Sequence, residues 1–358
     1  MPLPHPLFRR HFLLGALLGL LPGASQAAAA RPRPHYTVAG HEQPVALLRA
    51  GRATHLVTQH SVFRLEGAQF VRKHQLPSVI QCTSAADTVL WLGTWQGAQG
   101  LSLGAAGCRP HPLALPGAAA TARITALFQD AQGALWAGAD DYEAFRRAPD
   151  GAFVAELNTP AITAGAATAD GSVWLGTNMG LNRKQGPAWT RYNEEGVANR
   201  EIPDNLVEKL LPDNTGALWV IMSDAISVLN PKSQAAGEAE VPTVKFLGRP
   251  GNKVFGVASV PGAGRVFATA MGLLLLPAAP AGALAAPATD EVAPQRLLVP
   301  LPALPGATTS APPLLVQVDA QQRVWLAGAD EVTVLTAKEF RKFAQRAPAA
   351  TPGLANWP

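Results

Sequence analysis

The feature of this chain that most constrains its fold is a short pattern that recurs at intervals of about 45 residues. The pattern is clearest over residues 161–183, where a β-prone run leads to an Asp-Gly pair, a Val-Trp-Leu-Gly-Thr strand and another glycine. Repetition at this period indicates units that complete their cores by packing on their neighbours. Seven copies align on the central strand, at Leu56, Trp91, Trp136, Trp174, Trp219, Phe267 and Trp325.

Each unit contains short runs of β-branched and aromatic residues that are bounded by Gly, Asp, Asn and Pro. An Asp-containing turn is predicted to join strand A to strand B, and Gly-Thr-x-x-Gly to join B to C. About four short strands per unit predict an all-β, seven-bladed β-propeller with four-stranded antiparallel blades. The central-strand aromatic residues are then expected to fill the core between blades: Trp91, Trp136, Trp174, Trp219, Phe267 and Trp325.

The segment DGSVWLGTNMGL at residues 170–181 resembles the two-component regulator propeller repeat, whose core reads D-x-x-G-x-[LI]-W-[LV]-G-T-x-x-G-L. The resemblance covers about residues 45–340 and is weakest around Leu56 and Phe267. It implies a periplasmic sensor-type propeller, which in this family is often fused to a membrane helix and a histidine kinase. No second apolar span and no kinase motif are found, so we do not expect this chain to be a membrane sensor kinase.

Composition supports a folded, low-charge protein and gives no sign of nucleic-acid binding. Hydrophobic residues make up 48% of the chain and charged residues 15%, which is typical of a packed domain. The formal net charge is only +4, and no block of Lys and Arg is interleaved with aromatic residues. We therefore expect no nucleic-acid partner.

The two cysteines, Cys82 and Cys108, are placed on strands A and D of one blade. Two strands at a spacing of about 4.8 Å separate these positions, which exceeds the usual reach of a disulfide. Two free thiols are favoured, and a disulfide is kept as the alternative because exported proteins can form one.

Residues 1–27 have the pattern of a signal peptide, with Arg9 and Arg10 before an apolar run of about ten residues and a small-x-small site ending at Ala27. The run RRHFL resembles the core of a twin-arginine signal, from which Phe8 and Leu14 depart, so the general secretory and twin-arginine routes both stay open. Either route predicts a periplasmic or secreted protein. A linker is expected at 28–34, the propeller at 35–340 and a tail without regular structure at 341–358, with one helical turn allowed around residues 338–343.

The alternating segment at residues 35–39 is predicted to supply the outer strand of the last blade, closing the ring. An Ala- and Pro-rich stretch at 277–313 is predicted to form a long outer loop.

A candidate ligand site follows from the loops after the central strands, because propellers bind ligands with such loops over the central channel. The position five residues after each central residue, together with its neighbours, gives a ring of polar side chains with an exposed Trp. Such a ring would suit a divalent cation or a saccharide, whereas Asp in tight loops also satisfies backbone amides. The candidate ligand-binding residues are Trp95, Gln96, Asp140, Asp141, Asn178, Asp224, Asp330 and Glu331. Trp189 is a second candidate for an exposed aromatic surface, next to Arg191.

No catalytic signature is present in the sequence, and we assign no catalytic residue. The histidines after residue 27 are interpreted as surface or structural residues: His35, His41, His55, His60, His74 and His111. The preferred hypothesis is an exported, non-enzymatic binding or sensing propeller that recognises a saccharide or a protein partner. The alternatives are a metal-dependent lyase or lactonase of the propeller type, which needs a His or Glu base at the channel mouth, and an envelope scaffold protein. Oligomeric state is left open.

Overall fold

The computed structural model describes residues 35–104, 107–159, 161–197, 200–223, 225–229, 243–244, 252–277, 299–304 and 311–346. The predicted signal peptide and linker, most of the Ala- and Pro-rich stretch, and residues 347–358 lie outside the described residues. One candidate ligand residue, Asp224, lies outside them as well.

The described residues form short strands, with one 3₁₀ turn at Gly117–Thr121 and one short helix. The first five strands are β1 (His35–Val38), β2 (Pro44–Ala50), β3 (Ala53–Thr58), β4 (Ser61–Glu66) and β5 (Gln69–Gln75). Two four-stranded sheets follow: β6 (Ile80–Ala86), β7 (Val89–Thr94), β8 (Gly97–Gly104), β9 (Gly107–Leu113); and β10 (Ile124–Gln129), β11 (Leu135–Ala139), β12 (Ala144–Arg147), β13 (Phe153–Leu157).

Three more four-stranded sheets come next: β14 (Ile162–Ala167), β15 (Val173–Thr177), β16 (Gly180–Gln185), β17 (Ala188–Tyr192); β18 (Val207–Pro212), β19 (Leu218–Met222), β20 (Ile226–Leu229), β21 (Thr243–Val244); and β22 (Val254–Val260), β23 (Gly264–Thr269), β24 (Gly272–Pro277), β25 (Val299–Pro300). The chain then forms β26 (Leu315–Val318), β27 (Arg323–Ala327), β28 (Glu331–Thr336) and the helix α1 (Ala337–Ala344). All neighbouring strands within these four-stranded sheets are antiparallel and consecutive in the chain.

The two ends of the described chain meet in one eight-stranded sheet of order β2-β3-β4-β5-β1-β28-β27-β26. Strand β1 pairs antiparallel with β28, with Tyr36 opposite Val332, which is the position predicted for the segment 35–39. The same strand pairs in parallel with β5, where Val38 lies opposite Phe70. The first and last parts of the sheet are therefore joined by backbone hydrogen bonds, and the loose edge that a ring of sheets would otherwise have is covered.

The aromatic residues of the central strands are buried between sheets, with Trp174 0% exposed and Trp91, the most exposed of them, at 8%. The glycine two residues after the Trp explains part of the repeat pattern. A Cβ placed on Gly138 would lie 2.4 Å from the Cγ2 atom of Ile162, and a Cβ on Gly176 would lie 2.5 Å from the Cγ1 atom of Val207. Glycine is needed at these positions because the first residue of the next sheet packs directly on the backbone.

The repeat Asp accepts a hydrogen bond from the Trp that follows it six residues later. The indole N–H groups donate as follows: Trp136 to Asp130 over 2.8 Å, Trp219 to Asp213 over 3.1 Å, and Trp325 to Asp319 over 2.8 Å. In the sheet of Trp174 the acceptor is the hydroxyl of Thr168, at 2.9 Å. From the sequence this Asp was expected only in the turn, whereas it also satisfies a buried N–H group of the core.

An arginine completes this arrangement in several sheets. The guanidinium of Arg265 lies 5.4 Å from the ring centre of Trp219, and its Nε atom lies 3.2 Å from Asp213. Arg323 repeats the geometry with Trp325, at 5.4 Å, and with Asp319, at 2.7 Å. Because Arg265 comes from the next sheet along the chain, its contact with Asp213 also ties two sheets together.

Helix α1 crosses the predicted propeller boundary at residue 340, so residues 341–344, which were predicted to belong to a tail without regular structure, are helical. Its N-terminus has a capping box, since the Thr336 side chain accepts from the Glu339 amide and the Glu339 carboxylate accepts from the Thr336 amide. Phe340 and Phe343 are buried against the core, and Arg341 donates to the carbonyl of Pro261 over 2.9 Å. Within the described part of the chain, no helix has the length and apolar character that a membrane crossing requires.

Both cysteines are free thiols, which agrees with the favoured alternative. Cys82 lies beside Ile124 and donates to its carbonyl at 3.5 Å, whereas Cys108 lies at the start of the outer strand β9. Burial raises the pKa of Cys82 to about 12.

Candidate functional site

The described candidate ligand residues lie at one end of the sheets. All lie in the turns between the second and third strands except Glu331, which is the first residue of β28. Backbone hydrogen bonds attach these turns to the links that precede each sheet: Trp95 donates to the carbonyl of Val79, and Asp140 to that of Arg123. We call the described residues of these turns and links the turn face: 39–43, 58–61, 76–79, 94–97, 114–123, 139–144, 158–159, 161, 177–180, 193–197, 200–206, 222–223, 225, 252–253, 269–272, 301–304, 311–314 and 327–331.

The Gly-Thr-x-x-Gly pattern shapes these turns through the threonine hydroxyl. Thr177 donates to the carbonyl of Gly180 over 2.8 Å and accepts from the amide of Met179 over 2.9 Å. Gly180 has a φ of +115°, and a Cβ there would lie 2.2 Å from the carbonyl oxygen of Tyr192. The threonine and the glycine fix the backbone, so the two residues between them are held outward and are free to vary.

Trp95, Arg123 and Asp140 form a cluster that spans two neighbouring sheets. Trp95 is 55% exposed, and the guanidinium of Arg123 lies 5.8 Å from its ring centre. The same guanidinium lies 3.7 Å from the carboxylate of Asp140 and donates to the side chain of Gln81 over 2.9 Å. The structure thus brings two of the candidate residues, Trp95 and Asp140, to the same arginine, which was not predicted from the sequence.

Three further candidates, Gln96, Asp141 and Asn178, are exposed on the turn face. Asp141 adopts a left-handed backbone conformation with φ of +64°. The turn that carries Asn178 is held from below by Arg191, whose Nε and Nη2 atoms donate to the Met179 carbonyl at 3.1 and 2.5 Å.

The other two candidates, Asp330 and Glu331, contact histidines from the N-terminal segment. The Nδ1 atom of His41 contacts the Oδ1 atom of Asp330, and the Nε2 atom of His35 lies 3.4 Å from Glu331. Glu331 is buried and Asp330 half-buried. These carboxylates therefore take part in the seam where the two ends of the described chain meet.

The proposed divalent-cation ligands do not converge in the part of the ring that the structure describes. Over the described ranges, no three His, Cys, Asp or Glu side chains lie close enough together to hold a metal ion. Asp140 and Asp330 instead face cationic or imidazole groups, as described above.

Exposed apolar side chains are concentrated on the turn face, which the sequence analysis did not predict. Of the six large apolar residues that are more than a third exposed among the described residues, five lie there: Trp95, Met179, Val197, Leu206 and Met271. The sixth, Val154, lies on the outer strand β13. A signal was present, because Met179 and Met271 occupy the variable positions of the Thr-x-x-Gly turn.

Cavities lie at both ends of the sheets. One of about 330 Å³ opens on the turn face beside Met271, with Leu301, Pro312 and Glu331 in its wall. Another of about 650 Å³ lies at the opposite end of the sheets, between Trp91 and the turn at Asp150. Trp189, the second predicted aromatic surface, is only partly exposed because it packs against Trp136, with Lys184 5.4 Å from its ring centre.

Solved structures share this architecture, whereas neither a protein-family model nor a curated protein matches the sequence. The extracellular domain of the one-component system BT4673 from B. thetaiotaomicron aligns with a TM-score of 0.58 at 16% identity, over 86% of this chain and 42% of that one. Virginiamycin B lyase from Staphylococcus aureus aligns with a TM-score of 0.58 at 15% identity, over 84% of this chain and 97% of that one. YCF48 bound to D1 peptide aligns with a TM-score of 0.53 at 10% identity, over 86% of this chain and 96% of that one.

The chain has a β-propeller fold. It spans about two fifths of the length of the BT4673 domain that it matches. At identities of 10 to 16%, the likeness to these structures shows the fold alone.

Proposed function

We propose that this protein is an exported, seven-bladed binding or sensing propeller of the sensor type, which recognises a partner through its turn face. The blade number rests on dividing the eight-stranded sheet at the parallel β1–β5 pair, which gives two four-stranded units beside the five separate sheets. Export rests on the sequence pattern of residues 1–27.

The observation that carries the proposal is the cluster of Trp95, Arg123 and Asp140. An indole ring that is 55% exposed leaves most of its apolar surface in water, although the same chain buries its repeat tryptophans. Trp and Arg are the residues that contribute most often to binding energy in protein interfaces. Here they lie side by side, and the arginine also lies 3.7 Å from the carboxylate of Asp140.

A protein partner fits this face better than a saccharide does. The exposed apolar side chains belong to the turns and links of several sheets, and two of them are methionines, which adapt to varied partner surfaces. A saccharide would need only a local aromatic platform with polar neighbours, for which Trp95, Gln96 and Asp140 are the candidates. Asp141, Asn178, Asp330 and Glu331 belong to the wider face, and Asp224 is included from the sequence alone.

The solved structures are compatible with this proposal through their descriptions only. One is an extracellular domain of a regulatory system, and another was determined with a bound peptide. The lyase similarity supports the alternative of an enzyme in the same limited way. A metal-dependent lyase or lactonase would need converging ligands, and none were found among the described side chains.

The experiment uses the mature protein, immobilised and exposed to a periplasmic extract of its native host and, separately, to a glycan array. Three forms are compared: the wild type, the double variant Trp95→Ala with Met179→Ser, and the control Val154→Ser, which removes an exposed apolar side chain from an outer strand. A protein that the wild type and the control retain, and the double variant loses, supports the proposal. A glycan that the wild type and the control bind, and the double variant does not, would replace the protein partner with a saccharide.

Retention of the same partner by all three forms would place binding elsewhere and overturn the turn-face assignment. Circular dichroism of each variant is the folding control. Because Trp95 and Met179 are exposed, both substitutions are expected to change stability by no more than about 0.5 kcal/mol.

A further inference from the structure

A second cavity outside the turn face has the character of an anion site. It has a volume of about 240 Å³ and lies between the first two units of the ring, where β3, β4 and β5 face β8 and β9. This is several times the volume of about 30 Å³ that one water molecule occupies in the liquid. His55, Arg64, Lys73 and Cys108 are among the residues that line it.

The cavity carries more positive than negative charge. The Nε atom of Arg64 and the Nζ atom of Lys73 lie 2.8 and 2.9 Å from the same oxygen of Glu66. One carboxylate therefore serves two cations, and one positive charge is left over. Arg72 also lines the cavity, and its nearest carboxylate, that of Glu42, lies 3.8 Å away.

One of the residues that line the cavity, His55, is a buried histidine with an unpartnered ring nitrogen. His55 is 2% exposed, and its Nδ1 atom has no hydrogen-bond partner among the described residues. Burial lowers the pKa of His55, and neighbouring Arg64 lowers it further, while the Ala53 carbonyl acts in the opposite direction. Buried nitrogen atoms are normally satisfied, so an unpartnered one in the wall of a cationic cavity indicates a missing acceptor.

We propose that this cavity binds an oxyanion, either as a free phosphate or sulfate ion or as the anionic group of a larger ligand. The Nδ1–H group of His55 donates to one oxygen of the anion, and Arg64 and Lys73 supply the opposing charge. Charge-assisted hydrogen bonds of this kind are stronger than neutral ones. This proposal does not rest on the proposed function, because the residues that line the cavity do not belong to the turn face.

The test is isothermal titration of the full mature chain with inorganic phosphate, sulfate and glycerol phosphate, in a chloride buffer of constant ionic strength. Wild type is compared with Lys73→Gln and His55→Gln. The matched control is Arg109→Gln, which removes a positive charge from an exposed side chain of β9 that does not line the cavity. We expect phosphate binding to weaken about tenfold or more in Lys73→Gln and to stay within about twofold in Arg109→Gln.

Alkylation of Cys108 with iodoacetamide provides a second readout that does not depend on the variants. Bound oxyanion covers the cavity. Phosphate at about ten times its dissociation constant is therefore expected to slow labelling of this residue, whereas chloride is not. Tighter binding of glycerol phosphate than of phosphate would identify the anion as part of a larger ligand, and the reverse order would identify a free ion. Absence of heat and of protection in the wild type, or equal weakening in Arg109→Gln and Lys73→Gln, would overturn the proposal.

Discussion

Replacing Asp213 by alanine is expected to destabilise the protein strongly, because this one carboxylate joins a turn, a core tryptophan and the neighbouring sheet. Its side chain is 0% exposed. One oxygen accepts from the amides of Thr215 and Ala217 at 2.8 and 3.2 Å, and the other accepts from Trp219 at 3.1 Å and Arg265 at 3.2 Å. Alanine leaves the buried indole N–H of Trp219 without an acceptor.

The magnitude follows from the separate contacts. An unsatisfied buried donor costs about 1–3 kcal/mol, and a hydrogen bond to a charged acceptor contributes about 1.5–3 kcal/mol. The arginine contributes little, about 0–1 kcal/mol, because its side chain is 37% exposed and water screens the pair. We therefore expect Asp213→Ala to lower the free energy of unfolding by about 3–4 kcal/mol.

Urea unfolding followed by circular dichroism measures this loss. The control is Asp150→Ala in another turn, where the exposed carboxylate accepts one amide hydrogen bond, from Ala152 at 3.0 Å, and where we expect a loss of about 0.5 kcal/mol. If the two variants lose equal stability, the inference that the carboxylate supports the core through Trp219 is wrong.

The pH dependence gives the same prediction an independent check. Burial acts to raise the pKa of Asp213, but hydrogen bonds from Thr215, Trp219 and Arg265 outweigh it and hold the pKa below its ordinary value. The stabilisation is therefore complete above the unfolded-state pKa of about 3.9 and is lost as the pH falls through the lower folded-state pKa. The difference in stability between wild type and Asp213→Ala should shrink only in that acidic range.

Three further predictions concern single positions, of which Gly176 and His55 are buried and Cys82 is half-buried. Gly176→Ala should cost about 1–3 kcal/mol in a thermal melt, because its Cβ would lie 2.5 Å from Val207, and a loss no larger than that of Gly104→Ala would contradict the close-approach argument. Cys82, with a pKa raised to about 12, should resist a thiol reagent at pH 8 until urea unfolds the protein, as read by mass spectrometry. The pKa of His55 is lowered in the folded protein, so the unfolded state is protonated first and the free energy of unfolding should fall as the pH drops below about 6.5. In a buffer free of oxyanions, His55→Gln should make that fall less steep. An unchanged slope would contradict the lowered pKa of His55.

The strands and their order were predictable because the repeat encodes them locally. Alternating residues and turn signals define each strand, and the aromatic residue marks the strand that is buried on both sides. The same regularity allowed the short segment at 35–39 to be assigned to the last sheet, where Tyr36 now stacks on Trp325 with ring centres 6.2 Å apart. The capping box at Thr336 and Glu339 was also visible in the sequence, and weighing it would have extended the predicted domain to Ala344.

The side chains that make up the candidate site were less predictable, because they come from segments outside the repeat. Arg123 lies in a link between sheets, and nothing in its local sequence indicates that it would reach Trp95 and Asp140. Arg265 meets Asp213 across 52 residues of sequence. Such contacts depend on how neighbouring sheets pack, which the repeat pattern does not specify. The choice of turn residues as ligand-binding residues stays a prediction.

The two ends of the sheets carry different kinds of residue, and this difference bears on where function lies. At one end the Asp of each Asp–Trp pair is committed to the core, as with Asp319, which accepts from Trp325 and Arg323. At the other end the Thr177 hydroxyl and Gly180 fix the backbone of the turn and leave the two residues between them without a structural task. A side chain that the fold does not require can change without loss of stability, and this freedom is what a binding surface needs. Large apolar groups at such positions, such as Met179, are therefore the ones on which the proposed partner surface rests.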